Sequence, residues 1–146
     1  MKLQYFGDSY DIVKKSLIRW LGEFGPWVTH PMFTEDISPE EAKAFSRLIG
    51  TPLLCAERLN SKTNRAEYFS SCNDVGNLFL DPDKGIYLKP CRGRNSENYV
   101  FGTELVEWCE VRTNALTLVF DQSYSREVKK AIVLQAKLKY FARLRI

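Results

Sequence analysis

The sequence predicts an α/β fold, a Rossmann-like three-layer sandwich in which a mainly parallel sheet carries helices on both faces. Three observations predict it. Short apolar runs alternate with stretches whose apolar residues recur at helical spacing, the order that yields parallel strands joined by crossover helices. Three of those runs end directly in acidic turns, at Asp8, Asp81 and Asp121. A chain of 146 residues, 45% hydrophobic and 27% charged, can bury one core without a metal or disulfide to hold it, so residues 1–146 read as a single domain.

Residues 2–6 read as a short first strand closed by the turn Gly7-Asp8-Ser9. A helix follows, with Ile12, Val13, Ser16, Leu17, Trp20, Leu21 and Phe24 as its apolar stripe and Gly25-Pro26 as its stop. Residues 27–33 form a strand that Pro31 interrupts near its end. Ser38, Pro39 and Glu41 then give a second helix an N-cap, a first-turn proline and a capping box, and Gly50 closes it. Residues 53–56 read as a buried strand, and 58–77 as polar and irregular with one short helix at 65–69. Leu78-Phe79-Leu80 is a compact strand leading into the turn Asp81-Pro82-Asp83-Lys84-Gly85. A basic loop over 89–94 precedes a helix at 103–112. The most apolar strand, 115–120, ends at Asp121-Gln122-Ser123, and a last helix runs from about Arg126.

The net charge of +3 is too small to name a partner, although the residues after Glu127 include six basic and no acidic side chains. Such a segment either faces a polyanion such as nucleic acid or is simply solvated. The N-terminus turns polar and acidic where a signal peptide needs an apolar core, and no apolar run approaches the ~18 residues of a membrane span. The expected setting is cytoplasmic, with no membrane partner. Cys55, Cys72, Cys91 and Cys109 are singly spaced, as reduced thiols rather than zinc ligands are.

Candidate chemistry follows from where a parallel sheet places its strand ends, since sites form outside the carboxyl edge. Asp8, Asp81, Asp83 and Asp121 are candidate metal ligands there, because carboxylates gathered at one edge repel unless they share a cation, and Mg²⁺ takes one or two of them with water and phosphate oxygens. Asp11 and Gln122 would stand behind them. Lys14 and His30 join Asp81 and Asp83 as candidate catalytic groups, and Arg92 and Arg94 as phosphate-binding ones. The capping reading stands beside this one: Asp8 and Asp11 occupy N-cap and first-turn positions, and Asp121 precedes the last helix. Lys14 is equally placed to pair with Asp11 at i,i+3, and His30, beside Pro31, to be structural.

The string Gly7-Asp8-Ser9-Tyr10-Asp11-Ile12-Val13-Lys14 resembles the G-N-x-x-D-V-L-K-H opening of S-adenosylmethionine-dependent rRNA adenine-N6 methyltransferases. Leu78-Phe79-Leu80-Asp81-Pro82 resembles the strand that delivers their D-P-P-Y/F motif. The resemblance implies S-adenosylmethionine as cofactor beside 29–33 and Asp81 as acceptor of the target amine. The sequence departs from the pattern at Asp83-Lys84 and lacks the cofactor glycines in 29–34. The G-D-x-x-D-x-x-K and F-L-D-P-D segments also resemble those of uncharacterised bacterial proteins, a resemblance that implies no activity. Three expectations result: a Mg²⁺-assisted enzyme acting on nucleic acid or another phosphodiester, a methyltransferase-like protein, and a non-catalytic interaction module on the same scaffold.

Overall fold

A computed structural model describes residues 6–89, 95–123 and 130–143. The first-strand segment 2–5 and the start of the last helix lie outside the described residues. The protein is mixed α/β, with small parallel sheets and, among the described residues, five α-helices.

Among the described residues its main sheet has three parallel strands, β1 (Trp27–His30), β2 (Asn77–Leu80) and β5 (Thr117–Val119), in the order β1-β2-β5. Thr29 pairs with Phe79 and Phe79 with Leu118. All four residues of β2 are buried, as expected of a central parallel strand. β1 ends at His30 rather than continuing to residue 33: Pro31 has no N–H to donate, and Met32 turns the chain with φ 50°. The expected strand at 53–56 contracts to one bridge, Leu53 beside Thr29. There the Thr29 N–H donates to the Pro52 carbonyl and the Leu54 N–H to that of Thr29.

A second parallel pair, β3 (Gly85–Tyr87) with β4 (Tyr99–Phe101), lies on either side of the basic loop in sequence, in stretches to which the sequence assigns no element beyond the turn residue Gly85. Each strand has three residues, too few for a period to register. The expected single sheet is thus divided into two small ones.

α1 (Ser9–Trp20) is capped by Asp8 and runs into a 3₁₀ turn, Leu21–Phe24. α2 (Pro39–Ile49) carries the full capping box between Ser38 and Glu41 and closes on Gly50 at φ 90°, a left-handed position that favours glycine. α3 (Arg65–Tyr68) continues into a 3₁₀ segment, α4 is Gly102–Val111, and α5 is Lys130–Arg143. Strand alternation divides the interior. Phe79 packs with Ile18, Trp27, Phe33, Phe45 and Ile49, and Leu78 and Leu80 pack with Tyr68, Phe69, Leu105 and Trp108.

One element reverses its expected orientation. Asp11, Lys14 and Ile18 are the buried residues of α1, whereas Ile12, Val13, Leu17 and Trp20 from the expected core stripe are exposed. The reason lies in the partner that Lys14 finds inside.

Candidate functional site: the acidic strand ends

β2 carries Asp81 out of its carboxyl end, with its N–H bonded to the His30 carbonyl across the sheet. α1 begins beside it. Lys14 Nζ lies 2.8 Å from Asp81 Oδ2 and 3.0 Å from Asp11 Oδ1, with all three side chains nearly inaccessible to water. The other oxygen of Asp11 accepts the Gly7 N–H at 2.8 Å, and the Phe120 ring closes over Lys14 with its centroid 4.6 Å from Nζ. A buried ammonium this well surrounded stays charged. Burial works against its charge, yet Asp81, by charge and hydrogen bond, and then Asp11 outweigh that and hold the Lys14 pKa above its ordinary value. Asp81 is raised, because its burial exceeds what one shared ammonium returns.

Asp8 caps α1. Its Oδ1 accepts the N–H groups of Tyr10 at 2.9 Å and Asp11 at 3.1 Å, satisfying donors that a helix start leaves open. Asp121 serves a separate junction. Its Oδ1 accepts the Ile86 N–H of β3 and both the N–H and hydroxyl of Ser123, while Oδ2 pairs with Lys137 of α5. Burial opposes the Asp121 charge, but the bonds from Lys137, Ser123 and Ile86 outweigh it and depress its pKa. Asp83 is half-buried in the turn, and Gln122 is exposed, its N–H bonded to the Lys84 carbonyl.

The four candidate metal ligands therefore do not share one sphere. Among the described residues no three His, Cys, Asp or Glu side chains are placed to hold a metal ion. Lys14 is neither a surface partner of Asp11 nor directed to an external phosphate; it is the cation between two carboxylates. Arg92 and Arg94 lie outside the described residues.

His30 is fully buried and its two ring nitrogens have no hydrogen-bond partner. The rings of Tyr68 and Phe69 stand against it at 5.0 and 5.1 Å. Burial pushes its pKa down to about 4, so the imidazole is neutral at physiological pH. Tyr68 also lines a surface cleft of about 500 Å³ with Cys55, Glu57 and Asn64; His30 does not reach it.

The groups that sequence reasoning misses are the answering cations. Lys137 lies in a helix full of lysines, and nothing local distinguishes it. Arg65 is bidentate to Glu104, at 2.7 and 2.8 Å, bonds the Tyr99 carbonyl, and stacks on Phe101. Glu104 in turn accepts the Phe101 N–H at the start of α4; an acid in the first turn of that helix is the only signal that marks the pair. Arg112 is buried too, donating to the Gly76 carbonyl and to Thr117.

No protein-family model, curated protein or solved structure matches the chain.

Proposed function

We propose that the chain is a non-catalytic interaction module, a pared-down Rossmann-like sandwich whose acidic strand ends are internal struts. The observation that supports this most directly is Lys14 Nζ between Asp11 and Asp81: a fixed ammonium takes the place that a shared Mg²⁺ would need. Asp8 and Asp121 are likewise engaged, one as a cap and one by Lys137. A cytoplasmic setting fits the free thiols at Cys55, Cys72 and Cys109.

The discriminating substitution is Asp81→Asn, which keeps shape and removes charge. In a module braced by the Lys14 pair, it leaves a buried ammonium short of one counter-charge and lowers stability by about 3 kcal/mol. Mg²⁺ and Mn²⁺ at millimolar concentration then leave the melting temperature of both proteins unchanged. At a vacant metal site the signs reverse: Asn relieves repulsion, the variant is no less stable, and Mg²⁺ raises the melting temperature of the parent alone. That result, or metal-dependent cleavage of a short oligonucleotide, restores Mg²⁺-assisted phosphodiester hydrolysis as the function. Calorimetric binding of S-adenosylmethionine restores the methyltransferase-like reading.

A further inference from the structure

Turning Asp11 and Lys14 inward leaves α1 with an outward face of its own. Tyr10, Val13, Leu17 and Trp20 follow one another at intervals of three, four and three residues, and Phe24 continues the pattern into the 3₁₀ turn. That is the alternation of an a/d seam, which one helix offers to another. All five are exposed, and none carries a charge. Lys15 and Arg19 stand on the other flank of the helix, where they line a groove with Ile49 and Gly50.

We propose that this face is the two-fold interface of a homodimer, in which α1 packs antiparallel against α1 of a second copy. This rests on the interaction-module reading and names its partner. The seam is self-complementary in that arrangement. Leu17 lies on the axis against its own equivalent, the small Val13 meets Trp20 of the second copy, and Tyr10 meets Phe24. Flanking Ser16 meets Ser16 and Ser9 lies near Glu23, so no like charges are opposed. The apolar area is also close to what the core of such an interface takes. Trp20 is 68% exposed, Phe24 58% and Tyr10 51%, which for side chains of roughly 150–250 Å² amounts to about 400 Å² of aromatic surface. Val13 and Leu17 bring the apolar total to roughly 500 Å². A stable interface takes ~800 Å² per partner, of which ~65% is apolar in homodimers, so the seam supplies the apolar core of one.

The test is the oligomeric state of the full chain by sedimentation equilibrium between about 1 and 100 μM, with Leu17→Asp and Lys15→Glu as variants. The expected result is a dimer for the parent and for Lys15→Glu, and a monomer for Leu17→Asp with unchanged circular dichroism and a melting temperature that no longer depends on protein concentration. Leu17→Cys, at the axis, should also form a disulfide-linked dimer under mild oxidation, and Lys15→Cys should not. A parent that is monomeric at 100 μM overturns the proposal, as does a dimer indifferent to Leu17→Asp or a higher oligomer. These outcomes are distinct from the metal and cleavage measurements on Asp81→Asn, so the dimer can fail while the module reading stands, and the reverse.

Discussion

A histidine closed off from water by Tyr68 and Phe69 loses more by burying a positive charge than the backbone groups of Tyr68 and of His30 itself return. His30 therefore opposes acid. Its pKa falls from an unfolded value of 6.5 to about 4 in the fold, so between those values the unfolded chain binds the proton more readily. The stability that the neutral ring contributes is full above pH 6.5 and is lost as pH falls toward 4, by about 2 kcal/mol at pH 5. His30 is the only histidine, and the difference between the parent and His30→Leu in denaturant titrations at pH 7 and pH 5 isolates it from Asp81, whose pKa is also displaced. The parent should lose stability between them, and His30→Leu should lose much less; equal losses in both would refute the assignment. The sequence marks His30 as a titratable group at a strand end but not which state it adopts, because that depends on rings some forty residues further along the chain. Asp8 was legible for the opposite reason, as its partners are the two N–H groups that follow it locally.

At the scale of elements, helices with local start and stop signals were readable and elements defined by distant partners were not. α2 lies where Ser38, Pro39, Glu41 and Gly50 place it. α1 has the expected position and the wrong face inward, because a count of apolar positions cannot register that a lysine has two buried carboxylates to meet. β3 was hidden by its brevity, and its position depends on Gly85. That residue has φ 121°, and a Cβ there would lie 2.9 Å from the Asp121 Cα and closer still to its carboxylate. Gly85→Ala must therefore push β3 away from Asp121 and break the Ile86 bond, as well as straining the backbone. The expected loss is about 2–4 kcal/mol by urea unfolding, whereas Gly22→Ala, with open space around its Cα, should change stability by less than about 1 kcal/mol. Similar values for the two would show that the contact at Gly85 has no energetic consequence.

For the molecule as a whole, the parallel direction of the strands was legible from apolar runs separated by amphipathic ones, but the order β1-β2-β5 and the division into two sheets were not. Beyond the core that Val100 and Ile86 share with Leu78 and Leu80, a polar junction at Asp121 joins them: it leaves the end of β5 and binds Ile86 in β3, Ser123 and Lys137 in α5 through one carboxylate. The central strand has packing that does not involve that carboxylate, since Phe79 is buried among Ile18, Trp27, Phe33, Phe45 and Ile49. Removing it should loosen one part of the structure selectively. In Asp121→Ala, amide exchange should accelerate at Ile86 and through α5, while the β1–β2 amides, such as Asp81 N–H on the His30 carbonyl, keep most of their protection. Acid should mimic the substitution. The folded pKa of Asp121 lies below its ordinary 3.8, so the stability it contributes is present above that value and lost as pH falls through the depressed one, and α5 should loosen in that range in the parent. In Asp121→Ala the same acid step should be absent from α5 exchange. Uniform acceleration across both sheets would instead mean that the chain unfolds as one unit and that Asp121 is no more a junction than any other buried contact.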